Sequence, residues 1–109
     1  MDSQTILVFI TAPTQETART IALDLVERRL AACVNILPGV NSIYRWNDAI
    51  QDDQEVLLVV KSRQEHFEAG LIPAVQALHP YDLPEIIALP VTAGLPAYLS
   101  WIESSTRPG

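Results

Sequence analysis

"AACVNILPGVNSIYRWNDAIQDDQEVLLVVK", residues 31–61, decides the fold. From Ala32 to Trp46 the side chains alternate. Val34, Ile36, Val40, Ser42, Tyr44 and Trp46 share one parity, and Asn35, Asn41 and Arg45 take the other. A period of two marks a strand. Pro38-Gly39 interrupts it as a bulge or bend, because proline cannot donate to a ladder. Trp46-Asn47-Asp48-Ala49 reads as a reverse turn, and Glu55 to Lys61 (EVLLVVK) as the antiparallel partner strand. A hairpin from Ala32 to Lys61 is longer than so small a core can cover, and its free edges invite pairing with another chain.

On the N-terminal side of the hairpin, TILVFI (Thr5 to Ile10) is a wholly apolar run of the kind that forms a central strand buried on both faces. Ala18, Ile21, Ala22, Leu25, Val26 and Leu30 then recur at helical spacing opposite Glu16, Arg19, Asp24, Glu27 and Arg28. Thr14 is the candidate N-cap, and Arg28 and Arg29 stand near the negative end of the dipole. On the C-terminal side, Ser62-Arg63-Gln64-Glu65 matches a capping box opening a helix with the stripe Phe67, Leu71, Ala74, Val75 and Leu78. Pro73 predicts a kink or restart near Leu71. Glu85 to Val91 (EIIALPV) is the fourth strand, and Gly94-Leu95-Pro96 starts a last helix carrying Tyr98, Leu99, Trp101 and Ile102.

The expected order is β-α-β-β-α-β plus a C-terminal helix: an α+β, ferredoxin-like sandwich with two helices on one face of an antiparallel sheet. The 109 residues form one domain, with residues 103–109 expected to fray.

Thirteen acidic against seven basic side chains give a net charge of −6, which repels nucleic acid and anionic membranes. The single cysteine, Cys33, cannot form an internal disulfide, and no CxxC pair is present. No basic n-region opens the chain, and the run from Ile6 to Ile10 is too short for a signal core or a membrane span, so the cytoplasm is the expected location. Familiar uses of this fold lack their residues. TILVFI offers only Phe9 as a stacking aromatic, no cysteine pair follows the first strand, and Thr11 to Gln15 has neither the glycine nor the arginine of a phosphate loop.

In "LHPYDLPEIIALPV", residues 78–91, His79 stands in a proline-constrained loop, as a capping or hydrogen-bonding residue or as a ligand. Lys61 and Glu85 each border an apolar strand, where an unpaired charge is unfavourable, so they are expected to pair with each other or with a polar ligand. Tyr44, Trp46 and Tyr81 read as packing or interface residues, Cys33 as a small buried hydrophobe, and His66 as a surface residue.

"TAP" after the first strand, "RLAACVNILPGVNSIYRW", "EVLLVVKS", "LHPYDLPEIIALPV" and "YLSWI" together resemble the CutA divalent-cation tolerance family, in order from Leu7 to Ile102. The resemblance implies a trimer similar in architecture to the PII signalling proteins, a role in tolerance of copper and other divalent ions, and no enzymatic reaction. It also implies a cleft near a subunit boundary lined by Tyr44, Trp46, Lys61, His79, Tyr81 and Glu85. Of the metal positions in copper-linked bacterial members, only His79 is matched; Ile10 and Leu78 replace a Cys and a second His. Weak binding of a divalent ion such as copper through His79, with no required cofactor, is therefore expected. The alternative is a PII-like module that binds a small anionic ligand at intersubunit clefts.

Overall fold

The structure, a computed structural model, describes residues 4–108. Strand β1 (Thr5–Ala12) leads to helix α1 (Gln15–Glu27), and β2 (Cys33–Trp46) and β3 (Ala49–Arg63) form the hairpin. A short helical passage ends in α2 (Ile72–Leu78), followed by β4 (Ile86–Pro90) and α3 (Pro96–Ser105). The sheet is antiparallel throughout, in the order β2-β3-β1-β4. This is the α+β, β-α-β-β-α-β arrangement with an added C-terminal helix.

Strand β1 is central, but it is buried on one face only. Ile6, Val8, Ile10 and Ala12 point into the core with Val56, Leu58 and Val60 of β3, under Ala18, Ile21 and Leu25 of α1 and Leu71, Ala74 and Val75 from the α2 region. Leu7, Phe9 and Thr11 face the other way and are half-buried. The apolar run of β1 is thus two half-faces, with helices covering one. On the open side Leu37, Ile87 and Leu89 are also solvent-exposed. At one end α3 returns to this side. Arg63, which shares the parity of Lys61, donates to the Thr106 hydroxyl at 2.9 Å and to the Glu103 carbonyl. His66 Nε2 donates to the Thr106 carbonyl at 2.6 Å. Residues 103–105 complete α3, the carbonyls of Glu103 and Thr106 meet a guanidinium and an imidazole, and Thr106 is fully buried. Gly109 lies outside the described residues. His66 is consequently part of a polar clasp and is not a free surface residue.

The hairpin is longer than the sequence pattern indicates, because β3 begins at Ala49 and not at Glu55. The Asn47-Asp48 turn has φ of 51° and 61°, both positive, as a two-residue hairpin turn matched to strand twist requires. Between Leu37 and Val40 the register shifts by one residue, with Gly39 at φ 79°. This bulge turns the alternation over. Val34 and Ile36 pair with Val60 and Leu58 on the helix side, whereas Val40, Ser42 and Tyr44 pair with Glu55, Asp53 and Gln51 on the open side. The single parity seen in the sequence is therefore two faces, because a one-residue insertion inverts every side chain beyond it.

Thr14 caps α1 as expected, accepting from the Thr17 amide at 3.1 Å. The helix ends in a Schellman pair, Leu30 N–H to the Leu25 carbonyl and Arg29 N–H to the Val26 carbonyl, with Arg29 in the left-handed region at φ 60°. The capping box at Ser62 does not form. Ser62 is the penultimate residue of β3, fully buried, and its hydroxyl donates to the Leu30 carbonyl at 2.6 Å, while Glu65 pairs with Arg63. Pro73 enforces the expected restart: Gln64–His66 is a 3₁₀ turn, Phe67–Leu71 a π turn, and α2 begins at Ile72, so the proline's missing N–H falls in the first helical turn. Leu78, assigned to the buried stripe, is exposed.

Candidate functional site

The loop between α2 and β4 crosses the end of β1 and reaches the open face of the sheet. His79 is the hinge of that crossing. It is 8% exposed, and both ring nitrogens are engaged. Nε2 lies 2.7 Å from the Thr11 carbonyl, which can only accept, and Nδ1 accepts from the Tyr81 amide at 3.2 Å. The ring is therefore the neutral Nε2–H tautomer. It packs against the Tyr81 ring with centroids 4.7 Å apart, and Pro80 restricts the backbone between them. So placed, the Tyr81 hydroxyl donates to Glu55 Oε2 at 3.0 Å.

Around this pair the bulged hairpin and the loop enclose an open cleft of about 770 Å³. Its walls include Tyr44, Trp46, Asp53, Glu55, Tyr81 and Glu85. The Tyr44 hydroxyl donates to Asp53 Oδ2, and that bond to an anion raises the phenol's pKa. Burial, then the Glu55 hydrogen bond, pushes Tyr81 up to about 12. Desolvation, aided by the neighbouring Glu55 charge, holds the Glu85 carboxyl above its usual range. Four carboxylates line the cleft, those of Asp53, Glu55, Asp82 and Glu85, and no basic side chain does.

The expected grouping is thus gathered only in part. Tyr44, Trp46, Tyr81 and Glu85 share the cleft, with His79 behind it. Lys61 does not join them. It lies farther along β3, opposite Leu7 and Cys33, where its Nζ donates to Asn35 Oδ1 and sits 3.9 Å from Cys33 Sγ. The Lys61–Glu85 pair does not form, because the two residues belong to different ends of the open face. Cys33 is half-buried on that face, outside the helix-side core. Glu55 and Asp53 escaped the sequence reading. The signal that would have found them is the parity inversion at Pro38-Gly39, which places them beside Tyr44.

A divalent ion finds no prepared set of ligands here. Among the described residues no three His, Cys, Asp or Glu side chains come together as a metal-holding group, and the His79 nitrogens are already bonded. No helix of the described residues is long and apolar enough to cross a membrane.

Residues 6–105 match the family model described as CutA1 divalent ion tolerance protein. The divalent-cation tolerance protein CutA of Thermus thermophilus is 54% identical over 100 residues, covering 92% of this chain and 96% of that protein. The chloroplastic protein CutA of Arabidopsis thaliana is 47% identical across 94% of this chain, which spans only 56% of its length. Among solved structures, a divalent cation tolerance protein from Thermus thermophilus superposes with a TM-score of 0.91 at 52% identity, over 94% of this chain and 99% of that one. A protein from Archaeoglobus fulgidus, described as periplasmic, gives 0.90 at 39% identity, over 94% and 99%. With its fold, its motifs and nearly its whole length matched, the chain belongs to the CutA1 divalent ion tolerance protein family.

Proposed function

We propose that this chain acts in divalent-cation tolerance, copper included, as a homotrimer and without catalysing a reaction. The observation that carries the role is the match along nearly its full length to a Thermus protein named for divalent-cation tolerance. Any copper contact at His79 must displace the Thr11 carbonyl or the Tyr81 amide, so binding there is weak. The lone thiol of Cys33 fits a reducing compartment such as the cytoplasm, although relatives named chloroplastic and periplasmic occupy others.

The trimer is supported by two surfaces that a single chain leaves uncovered. Ala12 pairs with Val56, so residues 49–55 of β3 have only β2 beside them and form a two-stranded ribbon, marginal in water by itself. The ribbon continues an open sheet face that carries Leu37, Ile87 and Leu89. Copies related by a closed three-fold axis cover both and leave no free edge. Gel filtration with light scattering should give three chains per particle at micromolar concentration and below; a folded monomer on dilution refutes the trimer. Expression in a copper-sensitive host lacking its own relative tests the role: growth in elevated copper should be restored, and unchanged sensitivity refutes it.

A further inference from the structure

The cleft contains carboxylates that no basic side chain of the described residues pairs with. Glu55 is 7% exposed, and its side chain takes one neutral donor, the Tyr81 hydroxyl on Oε2. Its Oε1 has no hydrogen-bond partner among the described residues and retains some solvent exposure, and Glu55 lines the cleft. The ion pairs among the described residues, Arg28–Asp24 and Arg63–Glu65, lie elsewhere. A carboxylate so nearly buried is unfavourable unless a cation or several donors meet it. Asp53 stands two residues along the same face, and Glu85 lies across the cleft, its carboxyl raised by desolvation and by Glu55. Tyr44, Trp46 and Tyr81 add aromatic rings to a wall completed by small and aliphatic side chains, and the electron-rich face of an aromatic ring attracts a cation. The volume falls within the range of roughly 300–1,000 Å³ usual for small-ligand sites.

We propose that this cleft binds an ammonium or guanidinium group, with the Glu55 carboxylate as its anchor and the Tyr44 ring, held over Asp53, as its aromatic wall. The inference rests on reading the cleft as a ligand site and reverses the sign of the ligand expected there, since four carboxylates repel an anion. An organic cation suits the lining better than a metal ion does. It needs one carboxylate and one aromatic face, whereas a metal needs several donors converging on a point, which the described residues do not supply. The cationic group comes either from a free amine or from a basic side chain of a second copy seated on the open face.

The test titrates the full chain calorimetrically with n-butylammonium and n-butylguanidinium, using n-butanol and butyrate as the neutral and anionic controls. Particle mass is followed in parallel. Binding of the cations but not of the controls, weakened about tenfold in Glu55→Gln at unchanged mass, establishes a free amine as the ligand. If no probe binds, and Glu55→Gln dissociates on dilution where the wild type stays assembled, the cation is a side chain of the second copy. Glu55→Gln keeps an acceptor for Tyr81, and its circular dichroism spectrum reports folding. Should it misfold, Glu85→Gln supplies the same comparison. The proposal is overturned if the cations bind no better than butanol and neither variant changes particle mass. A wild-type mass other than three chains refutes the trimer alone and leaves the cation titration standing.

Discussion

Nε2 of His79 donates to the carbonyl of Thr11 at 2.7 Å, joining residues 68 positions apart in sequence. That bond pins the loop after α2 to the end of β1, and through the Tyr81 amide it sets where the Tyr81 hydroxyl meets Glu55. The histidine is therefore the support of the cleft's geometry.

Replacing His79 by alanine removes two hydrogen bonds and the ring packing against Tyr81, and leaves the Thr11 carbonyl without its donor. We expect a loss of about 2–3 kcal/mol in denaturant unfolding. Copper titration on the same variant separates support from ligation: weak wild-type binding should vanish in His79→Ala, and tight binding that survives it rules His79 out as the metal residue.

The buried guanidinium of Arg63 meets Thr106, Glu103 and Glu65, and the Glu65 partner is exposed, so the acceptors on α3 carry most of the effect. Arg63→Met should destabilise by about 2–3 kcal/mol. The amides of α3 should then exchange hydrogen faster than those of α1. Equal acceleration in both helices would show that the clasp is not local to α3.

Arg29 holds φ at 60° as the left-handed residue of the Schellman end of α1, a conformation that glycine adopts without strain. Arg29→Gly should stabilise the protein by about 1 kcal/mol, read as a higher denaturant midpoint with an unchanged slope. A lower midpoint would mean that the arginine side chain makes a compensating contact.

The folded Glu85 carboxyl has a raised pKa, so the folded state holds its proton to higher pH than the unfolded chain does. Stability should therefore fall as pH rises from the ordinary glutamate value through the raised one. Glu85→Gln should melt higher than wild type at pH 7, and the difference should disappear below the ordinary value of about 4.3. A constant difference across that range would exclude ionisation as its cause. If Glu85 serves the cleft, the same variant gains stability while losing affinity for the cation.

Much of this molecule is legible along the chain. Helix α1 with its Thr14 cap, the Asn47-Asp48 turn, the restart imposed by Pro73 and the order of elements all follow from local rules, because backbone restrictions and apolar spacing act within a few residues. What the tertiary structure decided depends on faces and distances that no local pattern encodes. Whether β1 is buried on one side or two depends on what packs over it, and only the helices reveal that one side stays open. The bulge at Pro38-Gly39 was visible as an interruption, yet only the pairing of Val40 with Glu55 shows that it inverts the strand and brings Tyr44 beside Asp53 and Glu55. Ser62-Arg63-Gln64-Glu65 satisfies the capping pattern, but strand pairing and the Leu30 carbonyl claim Ser62 first. The chemical character of the cleft arises in the same way. Charge composition reports that the chain is acidic, and only the fold collects four of its carboxylates around one aromatic wall while carrying Lys61, its one lysine, to the other end of the sheet.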